Sequence, residues 1–567
     1  MSGVLNTVIE RDVEMSTRDG ITLRGDLYRP SEGCYPTLIM RTPYGKDVPM
    51  GLMVVLDPLR AAAAGYSVFI QDVRGRFKSD GDFVPLINEA QDGFDTVEWA
   101  AAQPWSNGRI GMYGSSYMAA TQLQAATEAP PHLQAICPME GSADYYEGRT
   151  YKGGAFELGA MLSIALFALG VGNIQRKEST AAGFRAAWRN SKAMLDDLPS
   201  IAATAPLTDL KHTVIGDYAP FFFDWLDHDK PDTYWDSFSV EPKHDKISVP
   251  ALHLTSWYDA FAVGAITNYI GIRAHGANEL ARANQYLWLG PWGHYMPRTA
   301  LNGAARLGVV EFGLNALIDL DAIQINWFDR WLKDDTSSFR FKTPVRLFVM
   351  GDNVWREEID WPLPATKKTL FLAASGALSA EPISASKPDT FRSDPDNPVP
   401  TIGGAHVILE SAFPQGPWDH RPVEARSDVL VYTSAVLVED VQIIGDVRID
   451  LYLSCTAPST DIVAVLTVVR ADGASINVVD GIRRVTLTPG EVTRVQVSLG
   501  PVAQTFKRGE RIRLRLAGSN FPRHDLNPQT GARSCTAERR VVADQFVYHD
   551  IDHPSALYLP VMRGTLP

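Results

Sequence analysis

Cysteine is scarce in this chain. Four occur in 567 residues (Cys34, Cys137, Cys455 and Cys535), widely spaced and with no Cys-x-x-Cys pair. That spacing excludes a dense disulfide framework and a cysteine-ligated zinc site, and it suits reduced thiols in a cytoplasmic protein. Cys34 and Cys137 flank apolar strand-like runs and are expected to be small core residues. Positive charge is also in deficit, with 53 Lys and Arg against 66 Asp and Glu, a net charge of −13. No dense Lys/Arg run occurs, which argues against nucleic acid and against an anionic membrane surface as partners. No uncharged apolar run reaches the roughly 20 residues of a membrane-spanning helix. The richest, Leu158 to Gly172, reads as a buried helix. The first dozen residues lack a basic region followed by an apolar stretch and a small-residue cleavage site, so no signal peptide is expected. There is no internal repeat and no low-complexity tract.

What is present is ordinary globular composition, 45% hydrophobic and 21% charged, in a chain long enough for two to four domains. Residues 1–143 alternate strand and helix signals, with strands expected at Leu23–Tyr28, Thr37–Arg41, Ser67–Gln71, Ile110–Tyr113 and Leu133–Cys137 and a helix at Asn88–Ala102. This is the pattern of a mainly parallel sheet covered by helices. Acids at the start of that helix, Glu89 and Asp92, suit its dipole. The loop from Asp72 to Phe83 carries Arg74 and Arg76, expected to clamp the sheet edge. Residues 144–245 turn helical and contain an aromatic cluster, Tyr218, Phe221, Phe222, Phe223, Trp225, Tyr234 and Trp235, most of it expected to be packing. The α/β pattern resumes over 246–350, including a helix at Ala316–Lys333. From 351 to 567 alternating strand runs separated by turn clusters predict an all-β sandwich, a jelly roll.

Three strand ends carry the chemistry. Arg109-Ile110-Gly111-Met112-Tyr113-Gly114-Ser115-Ser116 runs from an apolar strand through a glycine to a serine, and an alanine-rich helix follows. A tight strand-to-helix turn of this kind lifts a serine hydroxyl above a sheet, beside the unpaired N–H groups of a helix start. Taken alone, it would equally serve an ordinary helix cap. The run ending in Trp257-Tyr258 is followed by Asp259, and the run ending in Gly290-Pro291-Trp292-Gly293 by His294. A serine becomes nucleophilic when an imidazole takes its proton, and the imidazole needs a carboxylate to fix its tautomer. The order Ser116, Asp259, His294, each just past a strand, is that of α/β-hydrolases. The 144–245 block, falling between serine and aspartate, then becomes a helical cap over the crevice.

Further segments carry a more specific likeness: Arg41-Thr42-Pro43-Tyr44, Gln71-Asp72-Val73-Arg74-Gly75, Gly114-Ser115-Ser116-Tyr117, Trp257-Tyr258-Asp259 with Phe261, Gly290-Pro291-Trp292-Gly293-His294, Val345 to Gly351, and Ser519-Asn520-Phe521-Pro522. Over nearly its full length the chain resembles the cocaine esterase-like CocE/NonD hydrolases of the wider X-Pro dipeptidyl-peptidase class. The resemblance implies an α/β-hydrolase domain with an inserted cap and a C-terminal jelly roll. It implies Ser116 as nucleophile, His294 as general base and Asp259 as its carboxylate. The oxyanion hole is implied to be the Tyr44 hydroxyl and the backbone N–H of Tyr117, with Phe261 a pocket aromatic. No cofactor or metal is implied.

Two departures stand out. Ala119 replaces the family's usual glycine after the serine, a methyl expected to be accommodated. Asp259 is followed by Ala260, Phe261 and Ala262, without the carboxylates by which amino-ester hydrolases of this class bind a substrate ammonium. The expected activity is therefore a serine carboxylesterase acting on small, uncharged, in some cases aromatic, acyl esters through an acyl-enzyme. An amide-cleaving or acyl-transferring relative (dipeptidyl-peptidase, α-amino-acid ester hydrolase, β-lactam acylase) is the alternative, and a non-catalytic carbohydrate-binding protein a distant one. The expected partner is a small-molecule ester; a homo-oligomer is left open.

Overall fold

The structure, a computed structural model, describes residues 6–48, 55–294, 306–337, 339–384 and 386–567. Ten strands form the first sheet: β1 Thr7–Ser16, β2 Thr22–Pro30, β3 Tyr35–Thr42, β4 Ser67–Asp72, β5 Ser106–Ser115, β6 Leu133–Met139, β7 Ala251–Tyr258, β8 Gln285–Gly293, β9 Val345–Val349 and β10 Val354–Glu358. Their order is β1-β2-β4-β3-β5-β6-β7-β8-β9-β10. The seven strands from β4 to β9 pair in parallel, while β1, β2 and β10 attach antiparallel at the two edges. Every residue of β4 and β7 is buried, as expected of strands covered on both faces. Four helices do much of the covering: α1 Glu89–Ala101, α2 Tyr117–Thr127, α3 Ala262–His275 and α4 Leu320–Leu332.

Acids at the start of α1 do more than answer its dipole. Glu89 and Asp92 point inward, where Glu89 meets the Arg41 guanidinium at 2.8 Å and Asp92 meets Arg74 at 2.6 Å. Arg74 also holds Asp19 at 2.7 Å. Arg76, fully buried, donates to the Pro43 carbonyl at 2.8 Å and reaches the cap at the Leu169 carbonyl and Asn173. The loop arginines therefore act as clamps. Helix α4 starts later than its sequence pattern suggests. Asp319 caps it by accepting the Ala322 N–H at 3.0 Å, and Leu314–Ala316 form a separate 3-10 turn. Cys137 is buried, but Cys34 is exposed. It sits in the turn between β2 and β3, where its thiol donates to the Pro104 carbonyl at 3.1 Å.

Between β6 and β7 the chain runs through a series of helices, among them an uninterrupted α-helix at Ala181–Asp196. Among the described residues one helical stretch, Leu158–Lys177, is long and apolar enough by composition to cross a membrane, and 67% of its apolar window is buried inside the fold. It exceeds the run visible in the sequence because a polar turn, Asn173 to Lys177, continues it. The cap aromatics Phe221, Phe222, Trp225 and Trp235 are buried among Tyr146, Tyr151 and Phe156. The cap also packs on Tyr117 and Phe261 beneath it and on Val407, Ile408 and Phe521 of the C-terminal part.

That C-terminal part is the expected all-β jelly-roll domain, with an 11-stranded sheet. Its central strand, Val441–Cys455, pairs antiparallel with Thr493–Phe506, Ala543–Tyr548 and Ala556–Arg563. It is keyed to the first domain. The Tyr258 hydroxyl, at the end of β7, donates to the Asn477 carbonyl of the C-terminal part at 3.1 Å.

Candidate active site

Five neighbouring parallel strands deliver polar residues to one edge of the sheet. Tyr44 follows β3, Ser115 and Ser116 close β5, Glu140 follows β6, Asp259 follows β7 and His294 follows β8. The carboxyl edge of an open parallel sheet is where loops leave a crevice.

Ser116 occupies a backbone conformation that side chains rarely adopt, φ 61° and ψ −121°, between the end of β5 and the first turn of α2. Its N–H donates to the Met139 carbonyl of β6 at 2.9 Å, which holds the turn against the sheet. Gly114, at φ 142°, is needed there, since a Cβ on it would lie 2.4 Å from that of Met118. The methyl of Ala119 is accommodated across the interface by Gly141, whose missing Cβ would sit 3.1 Å from it.

The Ser116 hydroxyl lies 3.0 Å from His294 Nε2, and His294 Nδ1 lies 2.7 Å from Asp259 Oδ1. The second Asp259 oxygen accepts the Thr255 hydroxyl at 2.8 Å. Both oxygens are thus committed, and the carboxylate caps no helix: α3 begins at Ala262 without a side-chain cap. Ser115 instead donates to Glu140 Oε2 at 2.5 Å. Glu140 also lies 4.0 Å from His294 Nδ1. Glu140, Asp259 and His294 bring ligand-type atoms within 4.8 Å of one another. At 2.7 Å, however, His294 Nδ1 is already engaged in a hydrogen bond with Asp259.

The Tyr44 hydroxyl sits beside the Ser116 hydroxyl and the Tyr117 backbone N–H, and burial raises its pKa above the ordinary tyrosine value. The Tyr117 ring is anchored at its far end. Its hydroxyl accepts the Leu86 N–H at 2.8 Å and donates to Glu89 at 2.9 Å. As the first residue of α2, Tyr117 offers a backbone N–H with no partner within the helix. Phe261 stands edge-on to the His294 ring, centroids 5.1 Å apart.

A cavity opens over these groups, its wall including Leu86, Ile164, Ala168, Leu169, Tyr145, Arg149, Phe261 and Val407. None of the seven cap aromatics singled out in the sequence lines it; their rings are spent on packing. Three contributors escape sequence reasoning. Glu140 leaves a faint signal, an acid just past a strand. Arg149 leaves none in its polar surroundings. Gln415, from the C-terminal domain, accepts the His294 backbone N–H at 2.8 Å and lies in a loop without periodicity.

Residues 19–296 match the X-Pro dipeptidyl-peptidase (S15 family) profile, and residues 339–558 that of the X-Pro dipeptidyl-peptidase C-terminal non-catalytic domain. A cocaine esterase from Rhodococcus sp. is 33% identical across 98% of this chain and 99% of its own. Among solved structures, an aminopeptidase from a marine sediment Thaumarchaeota archaeon superposes with a TM-score of 0.82 at 23% identity, covering 99% of this chain and 97% of that one. An α-amino acid ester hydrolase does so at 0.80 and 24%, with the same coverage. At those identities the two structures speak for the fold alone. By its matched domains and its full-length relative, the chain belongs to the cocaine esterase-like CocE/NonD hydrolases of the X-Pro dipeptidyl-peptidase (S15) class.

Proposed function

We propose that this serine hydrolase is a carboxylesterase and that Ser116, His294 and Asp259 are its catalytic residues. The continuous hydrogen-bonded path from the Ser116 hydroxyl through the imidazole to the Asp259 carboxylate carries the reading. In this scheme His294 Nε2 takes the Ser116 proton as Oγ attacks the ester carbonyl. The carbonyl oxygen becomes an anion facing the Tyr44 hydroxyl and the Tyr117 N–H. The imidazolium, stabilised by Asp259, returns its proton to the departing alcohol. Water, activated by the same imidazole, then releases the acid.

The acyl group is small and uncharged, seated against Phe261 and the apolar wall. An α-ammonium group fits poorly, because Ala260, Phe261 and Ala262 follow Asp259 and the nearby guanidinium of Arg149 would repel it. This disfavours the amino-ester hydrolase and dipeptidyl-peptidase alternatives. The units proposed are the hydrolase domain (1–143 and 246–350), the cap (144–245) and the jelly roll (351–567). A reducing, cytoplasmic setting suits four cysteines without a disulfide.

The test is a hydrolysis screen coupled to fluorophosphonate labelling. Neutral short-acyl and benzoyl esters should exceed phenylglycine esters and dipeptide amides in kcat/KM, with labelling lost in Ser116→Ala. A preference for the α-ammonium substrates would move the protein to the amino-ester branch. Failure of the folded protein to label would favour a binding protein.

A further inference from the structure

Arg149 is a cation in the catalytic cavity without a counter-charge. It follows Tyr146 in the first turn of the cap, and its side chain is half-buried. The guanidinium stacks over the Trp225 ring at 4.5 Å and donates one hydrogen bond, to the Thr150 hydroxyl at 3.2 Å. Among the described residues it forms no ion pair, and none of the residues outside the description is Asp or Glu. Its electrostatic neighbours are the tyrosines Tyr145, Tyr44, Tyr117 and Tyr234, and burial holds its pKa below the ordinary arginine value. The other acidic or basic side chain lining the cavity besides His294, Glu140, accepts a hydrogen bond from Ser115.

A half-buried arginine without a carboxylate partner leaves its fork of N–H donors open to an anion in the cavity. Its position says which end of a substrate would supply the anion. Leu86, Ile164, Ala168 and Leu169 make an apolar part of the cavity wall that the neighbouring groove does not share. Arg149, with Phe261 and Val407, lies where the cavity meets a large groove between the cap and the jelly roll. An acyl group seated against that apolar wall leaves the alcohol portion facing Arg149 and the groove.

We propose that Arg149 pairs with a carboxylate on the alcohol portion of the substrate, so that the preferred esters are those of hydroxy acids, a hydroxybenzoate ester being the simplest aromatic case. The guanidinium would take the carboxylate through two parallel N–H···O bonds. It would hold the ester across Ser116 and keep contact with the hydroxy acid as it departs. This rests on the esterase reading above and adds the charge of the leaving alcohol to it.

The experiment compares 3-acetoxybenzoate with its neutral isostere 3-acetoxybenzamide on the full-length protein, native and with Arg149→Gln or Arg149→Lys. The ratio of the two kcat/KM values cancels intrinsic reactivity and any general damage to the site. It should fall about tenfold or more in Arg149→Gln, and by less in Arg149→Lys, which keeps the charge but not the fork. In the native protein, 3-hydroxybenzoate should inhibit at concentrations about tenfold below 3-hydroxybenzamide. Equal inhibition by the two products, or an unchanged ratio in Arg149→Gln, would overturn the proposal. An Arg149-dependent preference for mono-4-nitrophenyl glutarate over 4-nitrophenyl butyrate, absent from the acetoxy pair, would put the charge on the acyl side and overturn the assignment to the alcohol. Loss of turnover on every ester, with Ser116 unlabelled by fluorophosphonate, would be the failure of the esterase reading instead.

Discussion

Gln415 of the jelly roll accepts the backbone N–H of His294 at 2.8 Å. His294 is thus held at two points, its ring by Asp259 of its own domain and its backbone by a side chain from more than a hundred residues downstream. The contact is close: a Cβ on Gly293 would fall 2.2 Å from the Gln415 oxygen. Val407 and Leu409, from the same loop, line the cavity. The C-terminal domain therefore belongs to the site's architecture although it supplies no group to the proposed triad.

The first expected outcome follows. Gln415→Ala should lower kcat by roughly fivefold, about the worth of one neutral hydrogen bond, with little change in KM. Steady-state kinetics on a neutral acyl ester measures this, and full activity in Gln415→Ala would reduce the contact to packing.

Tyr44 gives a sharper case. Tyr44→Phe removes one hydroxyl beside Ser116 and should cost about a hundredfold in kcat with a smaller effect on KM, because the bond matters mostly in the transition state. Burial raises the Tyr44 pKa, so the neutral, donating form persists at pH values where a free tyrosine begins to ionise. Between native and Tyr44→Phe the alkaline limbs of the kcat profiles should therefore run parallel. A native limb that falls with the ordinary tyrosine ionisation, and disappears in Tyr44→Phe, would contradict this.

The central strands were legible because they are buried on both faces and read as continuous apolar runs; β3 to β8 all declare themselves this way. Ser116, Asp259 and His294 were legible because each directly follows such a run. The edge strand β1 was not. Its sequence, Thr7 to Ser16, buries only Met15, so it carries no apolar signal and forms through backbone pairing with β2. Arg149 and Gln415 were hidden for a different reason. Their importance comes from what the fold sets beside them, Trp225 and the cavity in one case and His294 in the other, and no local pattern encodes a neighbour so distant in sequence. The cap aromatics misled in the opposite sense, since rings that could line a pocket are consumed in holding the cap together.

The two adjacent serines separate cleanly. Ser116→Ala should abolish turnover and fluorophosphonate labelling while leaving the circular dichroism spectrum unchanged. Ser115→Ala removes the donor to Glu140 without touching the Ser116–His294 contact, so labelling should persist, with turnover reduced about tenfold or less by the loss of one charge-assisted bond. If Ser115→Ala proved inactive and Ser116→Ala active, the nucleophile assignment would be reversed.

Asp259→Asn is the most discriminating single change. The carboxylate accepts from His294 Nδ1 at 2.7 Å and from the Thr255 hydroxyl at 2.8 Å. An amide would keep the size and the Thr255 bond, but its N–H₂ group facing Nδ1 would favour the tautomer whose proton sits on Nε2, where the Ser116 proton must go. The expected loss in kcat is about 10⁴-fold, the size seen for the same change in the serine-protease triad. Glu140 provides an internal control. It is 4.0 Å from Nδ1, too far for a hydrogen bond, so Glu140→Gln should cost far less than Asp259→Asn. Near-native turnover in Asp259→Asn together with a large loss in Glu140→Gln would make Glu140 the third member of the triad.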